Sequence, residues 1–196
     1  MSAQIKAEAE ASAATKKLNT AIEALPDGFA LYDDEDRLVI CNSKYRELYA
    51  LNAPAIVEGA SFESILRFGL ARGQFPTAIG REEEWLRERL ETHRRADNMV
   101  EQELPGGRWL RILERETSDG GRVGVRIDIT ELKEKQFELE RTALTDSLTG
   151  LANRHGLSAF LDRVPATLVL GERLALLHLD LDKFKAINDA IGHMLT

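Results

Sequence analysis

The stretch from Leu174 to His193 constrains the fold more than any other part of this sequence. It begins as a nearly continuous apolar run, which is typical of a buried strand. Two carboxylates, Asp180 and Asp182, lie where that run ends, and Phe184 and Ile187 then begin an apolar face at helical spacing. The pattern predicts a strand that delivers acids to the start of a helix, as in an α/β domain.

Acids in this position indicate chemistry on a phosphate-containing ligand. Proteins of the α/β class bind ligands at the carboxyl ends of strands, beside helix N-termini that favour anions. Two carboxylates repel phosphate unless a divalent cation lies between them, and Mg²⁺ binds protein carboxylates together with phosphate oxygens. For Asp182, just before the predicted helix, we expect helix capping rather than metal binding. The residues alone leave the role of Asp180 open.

Composition excludes several classes of function. The chain has 196 residues, enough for one large domain or two small ones, and a formal net charge of -7. Nucleic acids and anionic membranes need clustered positive charge, so neither is an expected partner. The single cysteine, Cys41, excludes an intramolecular disulfide, and no apolar run approaches the roughly 20 residues needed to span a bilayer. We therefore expect a cytoplasmic protein with no membrane segment in this chain.

The first part of the chain predicts a helix followed by an α+β domain. Residues 1–25 are rich in Ala, Glu and Lys and contain no Gly or Pro, and their apolar seam could pair with a second helix. Residues 26–129 contain two short strands, short helices and three more strands, separated by turn residues. This order predicts a five-stranded antiparallel sheet with helices to one side, which can enclose a small apolar pocket.

Several segments of this domain are similar to those of a PAS sensory domain. They are LPDGFALYDDEDRLVICNSKYRELY, the later GGRWLRILERETSDGGRVGVRIDITELK and, within the latter, Asp128-Ile129-Thr130 before a helix. The resemblance covers about residues 20–130 and implies the PAS fold. It leaves the sensor ligand unknown, and a PAS domain without a ligand is equally compatible with it.

Four residues that could bind a PAS cofactor have more ordinary interpretations. His93 could be a haem ligand, but it lies in the charge-dense helix predicted over residues 81–95, where we expect a surface position. Cys41 precedes an Asn, whereas the reactive Cys of flavin photosensors follows one, so we interpret Cys41 as a buried apolar residue. We expect Trp85 and Trp109 to be core aromatic residues.

Residues 130–145 predict a helical connector. Glu131 and Lys135 are spaced as a helix-supporting ion pair, and Leu132 and Leu139 begin a short coiled-coil seam. A helix of this length is marginally stable alone, which suits a switch. We expect a homodimer through the N-terminal and connector helices, in which the connector acts as a signalling helix.

Residues 146–196 contain two further motifs in a fixed order. DSLTGLANR precedes a predicted helix, and a strand ending in DLDKFK then leads to IND and GH. Together they resemble the N-terminal part of a GGDEF domain, the catalytic module of diguanylate cyclases. The implied fold class is a PAS domain joined by a helix to an incomplete α/β cyclase-like domain. GGDEF domains condense two GTP to cyclic di-GMP and release pyrophosphate, with one GTP on each subunit of a dimer.

The resemblance assigns roles to individual residues. Asp180 would bind Mg²⁺ through its carboxylate, and Leu181 through its backbone carbonyl. Main-chain groups of the next residues would approach the triphosphate at a helix start, and an amide side chain would hydrogen-bond guanine. These nucleotide-binding residues are Lys183, Phe184 and Lys185 for the phosphates and Asn188 for the base.

The Gly-Gly-Asp/Glu-Glu-Phe signature of the family does not occur in this sequence. We therefore expect the chain to have no cyclase activity by itself. One interpretation is a signal-responsive diguanylate cyclase whose PAS sensor controls a GGDEF catalytic domain. The alternative is a non-catalytic sensing and dimerising module, whose degenerate or GTP-binding GGDEF domain regulates a cyclic di-GMP phosphodiesterase domain downstream.

Overall fold

The structure is a computed structural model that describes residues 3–167 together with Ala175 and Leu177. The chain divides into two compact units, Met1–Leu139 and Glu140–Thr196. Among the described residues, no helix is both long enough and apolar enough to cross a membrane.

The first unit consists of a sheet and the helices around it. The helices of the chain are α1 (Ala3–Glu23), α2 (Ser43–Leu48), α3 (Phe62–Leu70), α4 (Glu82–Arg95), α5 (Thr130–Leu144) and α6 (Arg154–Thr167). The strands are β1 (Gly28–Tyr32), β2 (Leu38–Cys41), β3 (Asp97–Leu104), β4 (Arg108–Glu116) and β5 (Arg122–Asp128).

All five strands pair antiparallel in the order β2-β1-β5-β4-β3. The glycine turns predicted from the sequence join β3, β4 and β5 as consecutive hairpins. Gly106, Gly107 and Gly120 have φ angles of 79°, 76° and 87°, a region that residues with a side chain rarely adopt. The predicted five-stranded antiparallel sheet with flanking helices is confirmed.

One face of the sheet packs against α2, α3 and α4 to form the core. Its buried residues include Ala30, Tyr32, Leu110 and Ile112 from the strands and Tyr45, Phe62, Ile65 and Leu86 from the helices. Cys41 and Trp85 belong to this core, as predicted. The prediction for Trp109 is wrong: it alternates with the buried Leu110 along β4, so it lies on the other face of the sheet and is only half-buried.

Asn42 ties the end of α1 to the sheet and to α2. Its fully buried side chain donates from Nδ2 to the carbonyls of Ile22 and Asp27, at 3.2 and 2.8 Å. Its Oδ1 accepts from the backbone N–H of Phe29 at 2.8 Å and caps α2 by accepting from the N–H of Tyr45 at 3.0 Å. One amide therefore fixes where the N-terminal helix joins the domain.

Candidate functional site

Four ionisable side chains lie buried together inside the first unit. We call them the core cluster: Arg89 and His93 from α4, Glu114 from β4 and Arg126 from β5. Each is at most 6% exposed, although charged side chains are rarely buried unless they are paired. The cluster crosses the core from α4 to the neighbouring strands β4 and β5.

Glu114 is the centre of the core cluster. It accepts two hydrogen bonds from Arg89, at 3.0 and 2.8 Å, in the bidentate geometry that favours Arg–carboxylate pairs. Arg126 Nη2 donates to Glu114 Oε1 at 2.8 Å, and His93 Nδ1 lies 3.0 Å from the same oxygen. The carboxylate therefore has a full set of hydrogen bonds, which an isolated buried charge would lack.

The contacts set the charge states of the cluster. Burial alone would raise the pKa of Glu114, but the positive charges of Arg89 and Arg126 and the hydrogen bond from His93 hold this pKa far below its ordinary range. Burial, together with the positive charges of Arg89 and Arg126, lowers the pKa of His93 more than Glu114 raises it. At neutral pH the cluster consists of an ionised Glu114, two charged guanidinium groups and a neutral His93.

Local sequence makes room for these groups. A side chain at Gly124 would place its Cβ 1.9 Å from Nη1 of Arg126, so glycine at this position leaves the space in which the guanidinium lies. On the helical side, the ring of Phe62 stacks on His93 at a centroid distance of 3.8 Å and lies 5.0 Å below the Arg89 guanidinium. The cluster is thus packed between a glycine on the strand and an aromatic ring on α3.

A small cavity of about 10 Å³ lies beside the core cluster. Its lining combines apolar and aromatic side chains with polar ones, which are Tyr45, Tyr49, Asn52, Arg89, Gln102 and Arg126. Burial raises the pKa of Tyr49 to about 12, and its hydroxyl donates to Gln102 Oε1 at 3.0 Å. The small pocket expected from the sequence therefore has a mainly apolar lining, to which charged and amide groups also contribute.

The prediction of a surface position for His93 is also wrong, since this side chain is 1% exposed. Sequence reasoning missed the rest of the core cluster as well. The sequence does contain a signal for the buried face of α4. Trp85, Arg89 and His93 follow one another at four-residue spacing and therefore lie on one face of this helix. Glu114 likewise continues the alternation of Leu110 and Ile112 on the inner face of β4.

The junction between β5 and α5 is held by a second set of contacts. Asp128 Oδ1 accepts from the backbone N–H of Thr130 at 3.0 Å, and Thr130 Oγ1 accepts from the N–H of Trp109 at 3.0 Å. Lys133, in the first turn of α5, forms an ion pair with Glu101 on β3. Beyond this turn α5 has no buried residue, and Leu139 is 71% exposed.

The second unit begins with a loop that the DSLTGLANR motif builds. Thr149 donates from its backbone N–H and its hydroxyl to Asp146 Oδ1, at 2.9 and 2.7 Å. Asn153 Nδ2 donates to the carbonyl of Ala143 at 2.9 Å, while its Oδ1 accepts from Gly156 N–H at 3.0 Å and caps α6. Asp146 and Thr149 therefore stabilise the turn, and Asn153 caps the helix that follows it.

The predicted metal and nucleotide residues lie outside the described residues. These are Asp180, Leu181, Lys183, Phe184, Lys185 and Asn188, and Asp182 lies outside them as well. Within residues 3–167, no three His, Cys, Asp or Glu side chains are arranged to hold a metal ion. The assignments for Mg²⁺ and GTP therefore stay predictions.

Comparisons with known proteins identify both parts of the chain. A family model described as the PAS fold matches residues 22–137, and a model described as the diguanylate cyclase GGDEF domain matches residues 143–196. The chain is 31% identical over 149 residues to the non-motile and phage-resistance protein of Caulobacter vibrioides, which covers 74% of this chain and 16% of that protein.

Two other relatives are named as enzymes of cyclic di-GMP metabolism. Diguanylate cyclase VdcA of Vibrio cholerae is 40% identical over 68 residues, which are 35% of this chain and 19% of that protein. Cyclic di-GMP phosphodiesterase PdeB of Shewanella oneidensis is 28% identical over 174 residues, which are 88% of this chain and 19% of that protein. The chain thus spans at most about a fifth of the length of these relatives. Because the PAS match covers more than half of its 196 residues, the chain belongs to the PAS fold family, and it continues into a partial GGDEF domain.

Proposed function

We propose that this chain is the sensing part of a cyclic di-GMP signalling protein in which the PAS domain controls the GGDEF domain. The observation that carries the proposal is the position of α5 (Thr130–Leu144). The PAS match ends at residue 137 and the GGDEF match begins at residue 143, so one helix belongs to both. A sensor in residues 26–129 would then act through the signalling helix 130–145 on the domain that begins at residue 146.

The proposed reaction is the condensation of two cytoplasmic GTP molecules to cyclic di-GMP. Asp180 and the backbone carbonyl of Leu181 would hold Mg²⁺, which neutralises triphosphate charge when bound. Main-chain groups of Lys183, Phe184 and Lys185 would position the phosphates at a helix start, and Asn188 would select guanine.

We also propose that the protein works as a homodimer, because two GTP molecules must meet. Exposed leucines on the two helical seams support this: Leu18 on α1 is 61% exposed, and Leu132 on α5 is 53% exposed. Pairing these helices with those of a second copy would remove apolar surface from water.

A second function, regulation of a phosphodiesterase, has its own support. The relative PdeB, named a cyclic di-GMP phosphodiesterase, matches 88% of this chain. In that alternative the GGDEF domain would bind GTP without converting it and would act on a phosphodiesterase domain elsewhere in the same protein.

The test is turnover of GTP by the natural protein that contains this chain. With GTP and Mg²⁺ we expect cyclic di-GMP to accumulate and the Asp180→Ala variant to lose at least about a hundred-fold in rate. Asp162→Ala, which removes an exposed carboxylate from α6, is the matched control and should keep full activity. No product from the wild type, together with hydrolysis of added cyclic di-GMP that GTP stimulates, would favour the regulatory alternative.

A further inference from the structure

The core cluster contains more positive than negative charge. Arg89 and Arg126 are both buried, and within the described part of the chain Glu114 is the one carboxylate that pairs with either. The neutral His93 adds no charge. Two guanidinium groups and one carboxylate therefore leave one buried positive charge without a counter-charge. The rings of Phe62 and Tyr45, 5.0 and 5.1 Å from the guanidinium groups of Arg89 and Arg126, compensate this charge only in part.

The hydrogen bonds of Arg126 show where that counter-charge is missing. Its Nη2 donates to Glu114, but Nε and Nη1 make no hydrogen bond within residues 3–167, and the side chain is 1% exposed. Glu114 cannot supply more, since it already accepts two hydrogen bonds from Arg89 and one each from Arg126 and His93. Arg126 thus has buried N–H donors that make no geometrically good hydrogen bond, although its guanidinium lies 5.1 Å from the Tyr45 ring and near the Tyr49 side chain.

Arg126 also lines the small cavity, whose volume is about 10 Å³. A cavity of this size holds one water-sized group. It is far below the roughly 300 Å³ or more of sites for organic cofactors. Asn52 also lines the cavity, and its buried Oδ1, which lies against Gly69, makes no hydrogen bond within the described residues.

We propose that this cavity binds one monoatomic monoanion of the size of chloride, held by Arg126. A water molecule would satisfy the unpaired N–H groups but would leave the positive charge without a partner. A monoanion does both, and a dianion would over-compensate a single excess charge. As the input of the sensor this anion rests on the function proposed above, whereas its binding is independent of any cyclase activity.

The first experiment measures thermal unfolding of the full chain while sodium gluconate is replaced by sodium chloride at constant ionic strength. A ligand that binds only the folded state should lower the unfolding equilibrium constant about ten-fold at ten times its Kd. We expect Arg126→Gln to abolish this response. Arg111→Gln removes the same charge from the opposite face of the sheet, where Arg111 pairs with Glu101, and should keep the response.

An unresponsive wild type, or an equal response in Arg126→Gln, would overturn the proposal. Because the variant can fail to fold, crystals of the wild type grown in sodium bromide provide a second measurement. The expected result is an anomalous peak within hydrogen-bonding distance of Arg126. Peaks at surface positions alone would identify an adventitious ion only and would also overturn it. Neither readout uses GTP, so failure here is distinguishable from failure of the proposed cyclase.

Discussion

The helices α4 and α5 have similar lengths and similarly charged sequences, yet they differ in what they bury. α4 has 14 residues and buries Trp85, Leu86, Arg89 and His93, whereas none of the 15 residues of α5 is buried. The difference comes from the partners of each helix. Glu114 pairs with Arg89 and His93 of α4 inside the core, whereas α5 contacts the sheet through Lys133 in its first turn. Charge density alone therefore does not indicate whether a helix is fixed to a core.

The largest loss of stability should come from removing the carboxylate of Glu114, which holds α4 to the core. In Glu114→Gln, two buried guanidinium groups lose their carboxylate, and we expect the free energy of unfolding to fall by about 3–5 kcal/mol. Urea denaturation of the full chain, followed by Trp fluorescence, measures it. Glu63→Gln breaks an exposed pair with Arg67 and should change stability by about 0.5 kcal/mol or less. Equal losses in the two variants would contradict the role given to the core cluster.

A smaller effect should follow from lowering the pH. Burial lowers the pKa of His93, so below its ordinary pKa of 6.5 the unfolded chain binds this proton more readily than the folded one. Stability should therefore fall as the pH drops below 6.5, by up to about 1.4 kcal/mol per pH unit for one proton. The lowered pKa of Glu114 acts in the same direction at still lower pH.

Unfolding measured from about pH 7.5 to 5.5 tests this linkage. His93→Gln removes the titrating ring and should flatten the dependence in that range. If stability depends on pH equally in His93→Gln and in the wild type, groups other than His93 cause that dependence.

The smallest effect should come from removing one of the contacts that hold the first turn of α5 to the sheet. Lys133→Met removes the ion pair with Glu101 and should reduce stability by about 1 kcal/mol or less, with about five-fold faster amide hydrogen exchange in the first turn of α5. Lys135→Met is the matched control on the same helix, because Lys135 pairs with Glu131 one turn away on an exposed face. If both variants exchange alike, Lys133 does not anchor α5.

The fold could be predicted from local patterns, because its signals are local. Glycine turns, alternating strands and the charged spacing of residues 81–95 lie within short windows of sequence. The core cluster could not be predicted in this way, since Glu114 lies 25 residues from Arg89, 21 from His93 and 12 from Arg126. A charged residue in a strand is ordinarily exposed, and only the partners brought together by folding reverse that expectation.

The closeness of Gly124 to Arg126 has a consequence for relatives of this chain. A side chain at position 124 would place its Cβ 1.9 Å from Nη1 of Arg126, so a larger residue there would force this guanidinium to move. A relative with Arg at the second position should have Gly two residues before it, and one with a larger residue there should lack the Arg. Gly at position 124 together with Arg at position 126 is thus a sequence marker for domains that retain this buried charge.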